Sequence, residues 1–137
     1  MKIRELRRVS ADKVGYLKKN DIRLEPHEED TALYLTQYGF NIDVIKPNNT
    51  PKTNSPDFLV NGVIWEAKSP EGGGNSTIAR HFHKASKQAG KMILDLRRIK
   101  RPAEKAEREA KYRFEKAKNI KQLMLITKDG KLFDISK

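Results

Sequence analysis

The dipeptide Asn61-Gly62 constrains the fold most, because it lies between two short runs of apolar residues. Asn and Gly adopt the left-handed backbone conformations that the tightest two-residue turn requires, so the pattern predicts a β-hairpin. The hairpin would join residues 57–60 to residues 63–68. Because side chains alternate along a strand, Glu66 and Lys68 are expected on the same face.

Hydrophobic periodicity predicts three helices and four further strands around this hairpin. The order is helix, three strands, helix, strand, helix and two strands, which indicates an α/β (α+β) fold. Residues 1–24 are very basic and only weakly helical in pattern, so we expect a lead segment followed by one domain over residues 25–137. The expected helices cover residues 26–38, 77–89 and 102–117, and the other strands cover residues 40–44, 92–96, 123–126 and 132–135.

Length and composition limit the function classes. A chain of 137 residues suits one domain with a modest core. No apolar run approaches the roughly 18 residues that span a bilayer, and no signal peptide is expected. The chain has no cysteine, so thiolate metal sites and thiol nucleophiles are excluded. A net charge of +11 favours a polyanionic partner, nucleic acid before a membrane surface.

The charge is unevenly divided along the chain. Residues 1–24 carry +5, residues 25–67 carry −5, residues 68–101 carry +7, and the remainder carries +4. An acidic segment is compatible with phosphate binding when its carboxylates hold a divalent cation, because the bound cation makes the local charge positive. Simple heterogeneity of a solvated surface is the alternative explanation.

The acidic segment holds two carboxylates that the hairpin would bring together. Asp57 begins the first strand and Glu66 lies on the second, with Lys68 alongside. Two carboxylates a few ångström apart repel each other unless a cation lies between them, and their hard oxygens suit Mg²⁺ or Mn²⁺. A neighbouring lysine would orient the attacking water and stabilise charge on phosphorus. The alternative is an exposed hairpin face with a Glu–Lys pair worth less than about 1 kcal/mol.

These residues resemble the signature of the PD-(D/E)XK nuclease superfamily. The matching residues are Ser55-Pro56-Asp57, followed after a turn by Glu66-Ala67-Lys68. The resemblance implies a restriction-endonuclease-like core, with a central mixed sheet of about five to six strands flanked by helices. It implies that Asp57, Glu66 and the carbonyl of Ala67 bind a divalent metal, while Lys68 assists catalysis. The preceding helix would add Glu29, with Glu28 as the second choice.

A longer pattern resembles the C-terminal transfer-RNA nuclease domain of contact-dependent growth inhibition toxins. It combines the hairpin motifs with a glycine-rich loop, a basic helix and residues 93–99. The resemblance implies transfer RNA as substrate, a cognate immunity protein as partner, and action in the cytoplasm of a target cell. Some relatives cut DNA, and Zn²⁺ is an alternative to Mg²⁺ or Mn²⁺. A DNA endonuclease and a non-catalytic basic binding module therefore remain alternatives, and the oligomeric state is left open.

The basic helix after the hairpin supplies the expected nucleic-acid contacts. Arg80, Lys84 and Gln88 are spaced four apart, and Lys87 is adjacent. His81 and His83 flank Phe82 and do not share a helix face, so we expect surface or phosphate-contacting histidines rather than a metal pair. The glycine-rich loop over residues 69–76 is expected to be flexible, either adjusting to a substrate or acting as a plain linker. Residues 102–118 are expected to form a solvent-facing scaffold helix.

Overall fold

The computed structural model describes residues 1–46, 57–85 and 90–137. These described residues form eight strands and three α-helices. They are β1 (Lys2–Leu6), β2 (Leu17–Lys18), α1 (Pro26–Thr36), β3 (Ile42–Ile45), β4 (Asp57–Val60), β5 (Val63–Lys68), α2 (Thr77–Ala85), β6 (Lys91–Asp95), α3 (Ala103–Lys116), β7 (Gln122–Ile126) and β8 (Leu132–Ser136), with a 3-10 turn at Ala11–Lys13.

Parallel and antiparallel strand pairs both occur, in the order β1-β8-β7-β6-β5 for one group of strands and β5-β4-β3-β2 for the other, which confirms the α+β class. The chain divides into two compact units. The N-terminal unit is Arg7–Trp65, and the C-terminal unit combines Met1–Leu6 with Glu66–Lys137. Among the described residues, no helix has the length and apolar character needed to cross a membrane. The expected lead segment and single domain from residue 25 stay a prediction.

In the N-terminal unit, local signals start α1 and close the hairpin. Pro26 occupies the first turn of α1, and the Glu25 amide donates to the Glu28 carboxylate at 2.7 Å, which closes a capping box. At the hairpin turn Asn61 and Gly62 have φ of 49° and 84°, as the two-residue turn requires. Strand β3 lies antiparallel to β4, and β4 lies antiparallel to residues 63–65 of β5. The hairpin prediction is therefore confirmed.

In the C-terminal unit, parallel strands carry nearly continuous apolar runs. Residues 66–68 of β5 run parallel to β6, and β6 runs parallel to β7. Strands of this kind are buried on both faces, which explains why Met92, Ile93 and Leu94 are all fully buried. The main cluster also takes in apolar side chains of both helices. These are Ile78, Phe82 and Ala85 of α2 and Ala106, Ala110 and Phe114 of α3.

Two expectations about the fold are wrong. Residues 1–24 were expected to be weakly helical, yet they contain strands β1 and β2. The described residues therefore form eight strands rather than five or six. Strand β1 is largely exposed and exists because its backbone pairs antiparallel with β8. Strand β2 has two residues and pairs parallel with β3. Neither strand carries the buried alternating face that makes a strand visible in sequence.

Gly15 allows the backbone before β2 to approach α1 and β3 closely. Its amide donates to the carbonyl of Thr36 at 2.8 Å. A Cβ on Gly15 would lie 1.9 Å from the carbonyl oxygen of Phe40, a fixed backbone atom. Only glycine fits this crossing without moving a backbone segment.

We expect Gly15→Ala to destabilise the protein by about 2 kcal/mol or more, because backbone must shift to admit the methyl group. Gly62→Ala should cost about 1 kcal/mol, because it meets nothing within 4 Å but has positive φ. Urea denaturation followed by the fluorescence of Trp65, the single tryptophan, measures both. Gly90→Ala, whose Cβ would make one ordinary contact at 3.9 Å, is the control. Equal losses for Gly15→Ala and Gly90→Ala would contradict the close-approach argument.

Candidate active site

The centre of the candidate site is an ion pair on β5. The ammonium of Lys68 lies 3.0 Å from Oε1 of Glu66, and the two side chains are 13% and 6% exposed. The alternation of the strand places both on one face, as expected, and sends Ala67 to the other. Their backbones pair with β6 at Met92 and Leu94. The parallel ladder therefore holds the two charges at neighbouring positions of a buried strand.

This ion pair is not expected to stabilise the fold. Removing two charges from water costs several kcal/mol per ion, and the attraction between them rarely exceeds that cost. Glutamate is also an unfavourable residue inside a strand. The Glu66–Lys68 pair is therefore a candidate for a functional role.

His81 on α2 adds a neutral imidazole near this pair. Burial is the largest cause that lowers its pKa from 6.5 to about 4, followed by the positive charges of Lys68, Lys84, Arg80 and Arg98 in that order. Its Nδ1 is buried and has no hydrogen-bond partner within the described part of the chain. At neutral pH the ring is uncharged, with one nitrogen able to accept and one able to donate a hydrogen bond.

The importance of His81 is missed by sequence reasoning, which treats it as a surface or phosphate-contacting residue. It is half-buried, whereas His83 is exposed. The helical spacing does predict that the two histidines face different ways. What the spacing cannot show is that His81 is half-buried and feels the charge of Lys68, because that interaction joins a helix to a distant strand.

The glycine-rich loop after Lys68 is anchored by two arginines that follow β6. Arg98 donates to the carbonyl of Ser69 from Nε at 2.9 Å and from Nη2 at 2.7 Å, and it pairs with Glu71 at 3.2 Å. Arg101 donates to the carbonyl of Gly74 at 3.2 Å. A Cβ on Gly73 would lie 2.5 Å from the carbonyl oxygen of Lys100, so this glycine permits a close backbone crossing. Part of the basic run after β6 therefore serves internal structure.

A second buried charge lies at the end of β6. Asp95 is buried, and Arg97 donates to its carboxylate from Nε at 3.0 Å and from Nη2 at 2.8 Å. The backbone amide of Arg97 also donates to Asp95 at 3.1 Å. This bidentate pair fixes the start of the loop that carries Arg98 and Arg101. The sequence signal for it is an acid at the end of an apolar strand with arginine two positions later.

The remaining predicted ligands lie in the N-terminal unit. Asp57 is half-buried at the start of β4, where it pairs with Ile45. Glu29 is half-buried on α1, and its carboxylate forms an ion pair with Lys19. The second choice, Glu28, is occupied by the capping box of α1.

The described residues do not form a preassembled metal site that would test the predicted ligands. Across residues 1–46, 57–85 and 90–137, no group of three or more His, Asp or Glu side chains is placed to hold a metal ion. The ligand set of Glu29, Asp57, Glu66 and the Ala67 carbonyl therefore stays a prediction.

The predicted nucleic-acid residues are only partly described. Arg80 and Lys84 both lie on α2 and are exposed, and their charges also act on His81. Lys87 and Gln88 lie outside the described residues. The contact role of all four stays a prediction.

Comparison with known proteins assigns the family. Residues 53–132 match the family described as "Contact-dependent growth inhibition CdiA C-terminal domain". The chain belongs to this family. The match includes Asp57, Glu66, Lys68 and His81, and it excludes α1 and Glu29. No curated protein matches.

The fold is shared with a solved structure described as "CdiA-CT/CdiI toxin and immunity complex from Burkholderia pseudomallei". The TM-score is 0.65 at 17% sequence identity, over 90% of this chain and 100% of that chain. The predicted resemblance to contact-dependent growth inhibition domains is therefore confirmed at the level of family and fold. Membership of the PD-(D/E)XK superfamily stays a prediction.

The lowered pKa of His81 predicts an acid-sensitive stability. Between about pH 6.5 and about pH 4, the unfolded chain binds more protons at this position than the folded protein does, so stability falls as pH falls through that window. We expect His81→Gln to flatten the decline of Tm between pH 7 and pH 4.5, measured by circular dichroism.

His83→Gln, at an exposed histidine of the same helix, is the matched control and should keep the wild-type decline. Asp129 should not affect the comparison between pH 7 and pH 4.5. The Thr127 hydroxyl holds the pKa of Asp129 below its ordinary value of 3.8, so the stability from that carboxylate is lost only at lower pH. An unchanged pH profile in His81→Gln would refute the assignment of a neutral, buried His81.

Proposed function

We propose that this chain is the toxic nuclease domain of a contact-dependent growth inhibition system and cleaves phosphodiester bonds inside a target cell. The observation that carries the proposal is the buried Glu66–Lys68 pair, whose ammonium helps to lower the pKa of the half-buried His81, in a chain of the CdiA C-terminal domain family. The structural neighbour is a complex of a toxin with its immunity protein, which supports the toxic function and a cognate immunity protein as partner.

The proposed cofactor is a divalent cation, Mg²⁺ or Mn²⁺, with Zn²⁺ as the alternative. Bound to the site, it would lower the pKa of a water molecule and offset charge on the phosphate. Glu66 and Asp57 would hold it, with Glu29 and the Ala67 carbonyl as further ligands. Their oxygens are the hard donors that such cations prefer, and water completes the shell where few carboxylates are available.

The residues of the C-terminal unit have separate proposed roles. Lys68 directs an ammonium toward the phosphate and stabilises the negative charge that develops there. Glu66 holds that ammonium in position through the 3.0 Å contact. His81, neutral at pH 7, accepts a hydrogen bond from the attacking hydroxyl or water.

Transfer RNA is the proposed substrate. The charge of +11 supports a polyanion, and the resemblance to transfer-RNA nuclease domains favours RNA. In RNA the adjacent 2′-hydroxyl offers a second nucleophile beside water. A DNA endonuclease is the alternative within the same chemistry, and a binding module is the alternative without it.

We expect Glu66→Gln and Lys68→Met each to lower the cleavage rate by about 100-fold or more, because each removes one charge from the reacting centre. The assay incubates purified protein with total transfer RNA, single-stranded RNA or plasmid DNA. Each substrate is tested with chelator and with Mg²⁺, Mn²⁺ or Zn²⁺. Expression of the wild type should arrest growth, and Glu66→Gln should relieve the arrest.

The matched control is the ion pair of Glu107 and Lys111 on α3, 3.2 Å apart and more exposed. Glu107→Gln and Lys111→Met should leave cleavage unchanged. Full activity of both Glu66→Gln and Lys68→Met would exclude the assigned site. Binding of every substrate without cleavage under any metal would exclude the nuclease and favour the binding module.

A further inference from the structure

A cleft between α2 and α3 has the chemistry of a phosphate site. It has a volume of about 280 Å³. Its polar lining is cationic or neutral and includes no acid among the described residues. The lining residues are Ala79, Phe82, His83, Arg113, Lys116, Ala117, Lys118 and Asn119.

Arg113 is the most specific feature of this cleft. Its Nε is buried and has no hydrogen-bond partner among the residues that the structure describes. A buried guanidinium N–H without an acceptor is costly, and an oxyanion that reached it would supply the missing acceptor. Guanidinium groups match phosphate oxygens because their N–H donors form a planar fork.

An exposed aromatic ring is adjacent to the cleft cations. Tyr112 is 52% exposed. The guanidinium of Arg113 lies 5.4 Å from its ring centroid and the ammonium of Lys116 lies 5.6 Å from it. Cations over an exposed ring present both a phosphate contact and a stacking surface for a base, the combination found in grooves for single-stranded nucleic acid.

The end of α3 would normally oppose an anion, because the last carbonyls of a helix carry partial negative charge. Two lysines offset that charge here. Lys137 donates to the carbonyl of Ala117, and Lys121 donates to the carbonyl of Lys118 at 2.9 Å. The cationic lining residues are therefore not opposed by these two carbonyls, although the cleft lies at a helix C-terminus.

We propose that the α2–α3 cleft binds a backbone phosphate of the RNA substrate, with Arg113, Lys116 and His83 as its ligands and Tyr112 as a stacking surface. This inference rests on the proposed function. Helix α2 would serve two phosphate contacts, because the charge of Lys68 acts on His81 while His83 lines the cleft. The cleft positions substrate and takes no part in bond cleavage.

The test measures binding of labelled transfer RNA by the full chain in the Glu66→Gln background, so that cleavage does not interfere. We expect Arg113→Gln with Lys116→Gln to weaken binding about tenfold or more at moderate salt. The slope of log affinity against log salt concentration should fall by an amount that corresponds to about two fewer phosphate contacts. Arg113→Lys keeps the charge but loses Nε, and it should retain only part of the affinity. In the cleaving protein, the double substitution should raise KM and leave kcat unchanged.

Lys105→Gln with Arg108→Gln is the matched control, because it removes the same charge from exposed positions earlier on α3. Its affinity should change less than about threefold, since these positions contribute only to the general field of the protein. Equal losses of RNA affinity in the control and in the Arg113→Gln, Lys116→Gln double variant would overturn the cleft proposal. Wild-type affinity in both Arg113→Lys and that double variant would also overturn it. Loss of binding to anionic lipid vesicles without loss of RNA binding would also overturn it.

The two proposals fail differently. If the wild type cleaves RNA and the cleft variants bind like the control, the cleft proposal is wrong and the nuclease stands. If the wild type cleaves no substrate but the cleft variants lose RNA binding, the nuclease is wrong and the phosphate site stands. Circular dichroism melts of each variant confirm that the comparison is made on folded protein.

Discussion

The parallel pairing of residues 66–68 of β5 with β6 is the constraint on which the candidate site depends. It places Glu66 and Lys68 at alternate positions of a buried strand and leaves the carboxylate and the ammonium 3.0 Å apart. Parallel strands of this kind have both faces covered, so any charge on them is largely removed from water. The ladder thus supplies the low-dielectric surroundings in which a single ammonium has a strong effect.

The positive charge of the protein has two separate uses. Arg97, Arg98 and Arg101 contact protein groups, since they hold Asp95 and the loop after Lys68. Arg113 and Lys116 line an open cleft together with neutral groups. Net charge alone does not distinguish these two groups. The three arginines after β6 hold other parts of the chain in place, whereas Arg113 and Lys116 lie where a ligand could reach them.

Helix α2 connects the two regions of interest in the C-terminal unit. Phe82 and Ala85 bury one side of it in the core. His81 is half-buried and feels the charge of Lys68, whereas His83 lines the cleft with α3. An amphipathic helix therefore does more here than cover a sheet, because its flanks carry groups for two different contacts.

Short stretches of the chain were enough to specify its local structure. Asn61-Gly62 specified the hairpin, Pro26 and the acids behind it specified the start of α1, and strand alternation placed Glu66 and Lys68 on one face. These features depend on neighbouring residues only, so their signals can be read directly from the order of the amino acids.

The remaining features required the assembled fold. Strands β1 and β2 form through backbone pairing with β8 and β3, because they lack an apolar face of their own. The neutral state of His81 depends on burial beside Lys68, and the cleft depends on the packing of α2 against α3. Each of these features depends on residues that are distant along the chain, and a local sequence pattern does not predict which distant residues will come into contact.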